Sequence, residues 1–166
     1  MTSKVKKILE SFIIDVFFVN IYSFFCSNNA TFTNMKRILI FASGSGTNAE
    51  NIIKHFASSK TAIVTHVLSN NEHAKVFERC DRLGIDVSLF DKQGFTKDDT
   101  VLQFLQQEAD FIVLAGFLWR IPQKIVNAFP NKIINIHPAL LPKYGGKSMY
   151  GINVHKAVKA NNEKET

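Results

Sequence analysis

Cysteine is scarce in this 166-residue chain: Cys26 and Cys80 are its only two, and neither belongs to a C-x-x-C or Cys/His spacing. That excludes a zinc motif and a disulfide framework and suits a reducing compartment, so no metal is expected and the expected location is cytoplasmic. Proline (4) and glycine (8) are too few for a collagen-like or low-complexity chain, and 46% hydrophobic against 20% charged residues is globular composition. Charge of one sign is only mildly in excess, 20 Lys+Arg against 14 Asp+Glu, net +6. An anionic small molecule accounts for that excess as well as nucleic acid would, and no nucleic-acid partner is expected. Long hydrophobic runs are missing too. The best candidate, Ser11–Cys26, contains Asp15 and Asn20 and falls short of the roughly 20 apolar residues a membrane-spanning helix needs.

Phenylalanine is plentiful, at 15, and six of these lie in residues 1–34. Lys4, Lys6 and Lys7 precede the run Ser11–Cys26, so a signal peptide, an anchor, an amphipathic helix and a segment outside the functional protein are all open. Against an anchor, a charged residue near a bilayer centre costs roughly 2.5–3.5 kcal/mol, and no small-residue cleavage site follows Cys26. The sequon Asn29-Ala30-Thr31 has meaning only in a secreted chain. Met35 sits directly before a clean first strand and looks like a natural start. The expected organisation is therefore an unmatched extension over 1–34 and one domain over 35–166, with no membrane partner.

From Met35 the pattern is regular. Arg37–Ala42 is a short apolar run ended by Ser43-Gly44-Ser45-Gly46, and Thr47 is expected to N-cap a helix carrying Ile52, Ile53 and Phe56 at helical spacing. Ala62–Leu68 reads as a second strand. A helix from about His73 to Leu83 ends at Gly84, a suitable C′ residue. Strands at Asp86–Phe90, Phe111–Ala115 and Lys132–Ile136 alternate with helices at Lys97–Glu108, Pro122–Ala128 and about Val154–Ala160. Such alternation predicts βαβ units, and near-continuous apolar strands predict a sheet covered on both faces. The expected fold is an α/β, Rossmann-like open, mainly parallel sheet, whose ligands lie beyond the carboxyl ends of the strands.

Three strand ends carry the chemistry. Ser43-Gly44-Ser45-Gly46-Thr47-Asn48 combines glycines that admit close backbone approach with the positive end of a helix, which suits a phosphate. It is neither G-x-G-x-x-G, since Ala49 stands where glycine is needed, nor a P-loop. A tight turn with a capped helix explains the same residues. Ala115-Gly116-Phe117-Leu118-Trp119-Arg120-Ile121-Pro122 offers one indole and one guanidinium to an aromatic anion. Equally, Trp119 is core and Arg120 a solvated charge. Asn135 and His137, two apart, share one face if the strand runs through both. An amide that holds a carbonyl oxygen beside an imidazole that stabilises charge suits acyl transfer. With no adjacent Ser or Cys nucleophile, direct transfer to a bound amine fits better than a covalent intermediate. A satisfied Asn and a capping His is the bland alternative, and His55, His66 and His73 read as packing or surface residues.

Arg37–Asn48, Phe111–Pro122 and Ile133–Gly146 together resemble the phosphoribosylglycinamide formyltransferases of purine biosynthesis. N-I-H-P-A-L-L-P-K-Y-G-G is shared in close variants with the wider superfamily, and S-G-S-G-T-N is more specific to the glycinamide branch. The resemblance runs from Met35 to Thr166. It implies a formyltransferase-type sheet and transfer of a formyl group from the co-substrate 10-formyltetrahydrofolate to the amine of phosphoribosylglycinamide. Gly46, Thr47 and Asn48 match the turn that receives the ribonucleotide phosphate. Leu118, Trp119, Arg120 and Ile121 match the folate-pocket lining. Asn135 matches the residue that holds the formyl oxygen, and His137 the catalytic histidine.

The chain departs from the pattern in three ways. Family members continue past Thr166 with further strands and a catalytic Asp in a D-x-G context, and residues 138–166 contain no Asp. Phosphate-contacting residues of the C-terminal part are missing as well. Asn153 stands where the family commonly has a histidine, while His155 matches. The chain therefore reads as an N-terminal fragment whose own turnover is expected to be slow. Two other readings stand beside this one: another superfamily branch, methionyl-tRNA formyltransferase or formyltetrahydrofolate hydrolase-like, and a catalytically inactive Rossmann-like binding fragment.

Overall fold

Ile38, Leu39, Ile40 and Phe41 are all fully buried, as a strand covered on both faces requires. They belong to β1 (Lys36–Phe41), the central strand of a five-stranded sheet in the computed structural model, which describes residues 35–146, 149 and 152–163. The expectations for residues 1–34 lie outside the described residues. The remaining strands are β2 (Ala62–Ser69), β3 (Asp86–Leu89), β4 (Phe111–Leu114) and β5 (Ile133–Asn135). Their order is β3-β2-β1-β4-β5, and every pairing is parallel. The open parallel α/β sheet expected from the alternation is what the chain forms. β1 pairs with β2 on one side and β4 on the other, so the strand order reverses at β1/β4, where sheets of this kind hold their ligands.

The helices are α1 (Thr47–Phe56), α2 (Val76–Leu83), α3 (Lys92–Thr96), α4 (Thr100–Glu108), α5 (Gln123–Ala128) and α6 (Ile152–Ala160). Ala49, Ile52, Ile53 and Phe56 form the buried stripe of α1. α2 ends at Gly84, in the left-handed conformation at φ +64°, as a C′ glycine allows. It starts later than the spacing predicts. The Asn71 side chain accepts from the His73 N–H at 3.1 Å, and the Asn71 carbonyl accepts from Ala74; residues 71–74 form their own turn. Lys97–Glu108 is not one helix either. The Asp91 carboxylate accepts from the Gly94 N–H at 2.8 Å and caps the short α3, so α4 begins only at Thr100.

Through residue 135 the described residues form one compact unit, and those from Ile136 onward a second. In the first, Phe41, Phe90, Phe95, Phe117 and Trp119 make an aromatic cluster, with ring centroids 5.0 Å apart for Phe41–Phe117 and 5.8 Å for Phe90–Trp119. This cluster underlies the loops that follow β1, β3 and β4. In the second, Ala139, Tyr144 and Val154 are buried, with Met149, Ala157 and Val158 packed against them.

Candidate functional site

The turn after β1 is built on Gly46, at φ +71°. A Cβ there would lie 2.8 Å from the Val76 Cα, so glycine is required both by the backbone and by the close approach of α2. Gly46, not Thr47, is the N-cap residue: Thr47 is already helical, and no side chain caps the first turn. The Thr47 hydroxyl lies 3.2 Å from the Ser45 hydroxyl instead. The leading N–H groups of α1 therefore have no intrahelical acceptor and are offered to whatever occupies the turn, with the helix end favouring an anion.

α2 braces that turn from behind. Val76 N–H donates to the Gly44 carbonyl at 3.3 Å, and Arg79 Nε donates to the Ser45 carbonyl at 2.6 Å. Arg79 also pairs with the Glu50 carboxylate, which Lys54 contacts from the same helix. Hydrogen bonds from Lys54 and then Arg79 hold the Glu50 carboxyl below its ordinary range. The Arg79 side chain is thus committed to shaping the turn. Sequence reading missed Arg79 because no periodicity marks a side chain that reaches a backbone carbonyl.

The loop after β4 carries Leu118, Trp119, Arg120 and Ile121. Leu118 and Arg120 are exposed, whereas Trp119 and Ile121 pack on the core. Trp119 packs on the core and also faces open space: its ring lies on Phe90 and Phe95 and lines a cavity of about 890 Å³ with Asn70, Asn71, Asp91 and Lys92. Leu118, Arg120 and Ile121 do not line that cavity. Among the described residues no cluster of His, Cys, Asp or Glu could hold a metal ion.

Ser43 joins these loops and was not singled out in the sequence. It is buried, and its hydroxyl donates to Asn70 Oδ1 at 2.6 Å while accepting the Leu118 N–H at 3.0 Å. Its N–H donates to the Gly116 carbonyl, and its own carbonyl accepts from Asn71 Nδ2. A small polar residue at the last buried position of a strand end was the available signal.

Asn135 is exposed at the last position of β5, paired in register with Leu114 of β4. β5 stops there and not at Ile136, so strand alternation does not extend to His137, and the shared-face expectation has no strand to rest on. In the second unit His137 is half-buried, with Nε2 2.8 Å from the Tyr144 carbonyl. A carbonyl only accepts, so Nε2 carries the hydrogen and Nδ1 is the nitrogen left for proton transfer. Tyr144 is fixed in turn: it is buried, its hydroxyl donates to Glu163 Oε1 at 2.7 Å, and Lys143 pairs with the same carboxylate. Lys143 and then Tyr144 hold the Glu163 carboxyl below its ordinary range.

A parallel sheet whose glycine turn and aromatic loop follow the two strands at its switch point defines an open α/β protein with a site suited to a small anionic ligand. The chain belongs to the formyl transferase family, whose model matches residues 36–166. It is 40% identical over 131 residues to the chloroplastic phosphoribosylglycinamide formyltransferase of Vigna unguiculata, covering 74% of this chain and 41% of the relative. Against the Haemophilus influenzae phosphoribosylglycinamide formyltransferase it is 38% identical, covering 70% and 58%. Among solved structures, glycinamide ribonucleotide transformylase 1 from Geobacillus kaustophilus superposes with a TM-score of 0.66 at 33% identity, covering 76% of this chain and 69% of that one. The chain thus spans about half the length of the curated relatives it matches. Among the described residues no helix is long and apolar enough to cross a membrane.

Proposed function

We propose that this chain carries the nucleotide-binding and formyl-transferring residues of a phosphoribosylglycinamide formyltransferase acting in the cytoplasm. The observation that carries the reading is the uncapped, glycine-built start of α1 in a formyl transferase domain. In this reading the N–H groups of Gly46, Thr47 and Asn48 receive the ribonucleotide phosphate, with Arg79 holding the turn open. The Leu118–Ile121 segment receives 10-formyltetrahydrofolate, Trp119 giving the flat apolar wall and Arg120 an exposed cation. Small-molecule substrates are the partners, and neither nucleic acid nor membrane is invoked. The domain begins at residue 35, after an extension without a part in the chemistry.

The reaction joins the glycinamide amine to the formyl carbon and breaks that carbon's bond to the folate nitrogen. One proton leaves the amine and one reaches the departing nitrogen. Asn135 donates from its amide to the formyl oxygen. His137 supports the oxyanion and moves the proton, its ring held by Nε2–H to the Tyr144 carbonyl, which leaves Nδ1 to carry that proton. These donors act on charge present only in the transition state, which is why they accelerate the step.

The test is single-turnover formyl transfer by the chain extended with the C-terminal part of a relative, the part to which the resemblance assigns a catalytic Asp. His137→Ala is expected to lower the rate by about 10²–10³, the cost of one oxyanion donor, and to leave ribonucleotide affinity unchanged. An unchanged rate overturns the reading.

A further inference from the structure

Ser43 makes four hydrogen bonds to two other loops. Its hydroxyl reaches Asn70 after β2 and Leu118 after β4, its N–H reaches Gly116, and its carbonyl takes Asn71. Only 4% of the residue is exposed, and a hydroxyl offers one donor and two acceptor sites, so the buried geometry uses it in both directions. Ser43 begins the turn that contains Gly46, and Leu118 precedes Trp119, the single tryptophan of the chain. The main-chain direction of the Leu118–Ile121 segment is thereby tied through one side chain to the glycine turn.

We propose that Ser43 is a positioning residue that couples the two substrate loops: occupation of the glycine turn by a phosphate monoester reorders the Leu118–Ile121 segment through the Ser43 hydroxyl. The proposal rests on the reading of the turn as the phosphate site. Closing of the turn on an anion shifts Ser43, and the part-buried Leu118 N–H either follows its acceptor or loses its partner, a cost that favours following. Coupling of this kind is reciprocal, so a planar ligand held at Trp119 raises phosphate affinity by the same factor. Trp119 reports the event, because its indole packs on Phe90 and Phe95 while facing the cavity.

The experiment titrates ribose 5-phosphate into the full chain, with binding followed by phosphorus NMR and Trp119 by its emission. The unmodified chain is expected to bind saturably, and emission to change with the same midpoint. Ser43→Ala, with folding checked by circular dichroism, is expected to bind ribose 5-phosphate no more than about tenfold more weakly, the worth of one hydrogen bond, and to lose the emission change. Ser43→Cys, close in shape but a weak donor and acceptor, is expected to do the same and serves if the alanine variant does not fold. Asn70→Ala leaves the bond to Leu118 in place and is expected to keep the response. Binding without an emission change in the unmodified chain overturns the coupling alone. So does a full response in either Ser43 variant, or its loss in Asn70→Ala. Failure of ribose 5-phosphate to bind the unmodified chain overturns the phosphate reading and the coupling with it.

Discussion

Gly46 shows how much one missing side chain decides. Its left-handed φ of +71° already disfavours any side chain, and the structure adds a second demand, the Val76 Cα 2.8 Å from where a Cβ would stand. Gly46→Ala is therefore expected to destabilise the fold itself. Left-handed backbone costs a non-glycine residue about 1–2 kcal/mol and overpacking about 1–3 kcal/mol more, so a loss of roughly 2–5 kcal/mol should appear in urea unfolding. A loss under about 0.5 kcal/mol, the range of an ordinary surface change, would show that the turn is not held against α2. The glycine itself was legible in the sequence, because a strand followed by S-G-S-G has few other meanings. Its contact with Val76 was not, since residues 46 and 76 meet only once β2 has paired with β1. Ser43 and Arg79 escaped for the same reason: each acts on a backbone group supplied by a distant segment.

Among the elements, the β2–β3 edge links the fold to pH. His66 sits on β2 with Nε2 2.9 Å from the Ser88 hydroxyl of β3, and its ring packs edge-on against Phe104 of α4. Burial lowers its pKa, opposed by the smaller influence of Asp86 and Glu108. The folded chain thus favours neutral His66, and the unfolded chain binds the extra proton. The contribution is fully present above about pH 6.5, the unfolded value, and is lost as pH falls through the lower folded value. His66→Gln is expected to lose less stability than the unmodified chain between about pH 7 and pH 5, measured as the difference in thermal midpoints; equal losses would contradict this. Element types and order were readable because strand and helix periods differ, as Ile38–Phe41 and Ile52/Ile53/Phe56 show. Boundaries were less so. Asp91 and Asn71 redirect the chain by capping, a choice that depends on where the neighbouring strand ends. β5 closing at Asn135, before the expected Ile136, is the boundary that matters most, since it removes the strand argument for His137.

For the molecule as a whole, the sheet order brings the glycine turn and the aromatic loop to neighbouring strand ends, as the proposed site requires. β1 and β4 are neighbours in space although two strands separate them in sequence, and the residues that follow them are those the resemblance assigns to the two substrates. Ser43 at one strand end bonds to Gly116 and Leu118 at the other. The central claim is that the start of α1 receives the phosphate of 5-phosphoribosylglycinamide. Its most direct test is the amide NMR spectrum of the labelled chain during titration with that ribonucleotide. The account predicts saturable shifts, largest at the N–H groups of Gly46, Thr47 and Asn48, and weakened in Gly46→Ala. Saturable binding that leaves those three amides in place, or no binding at all, would contradict it.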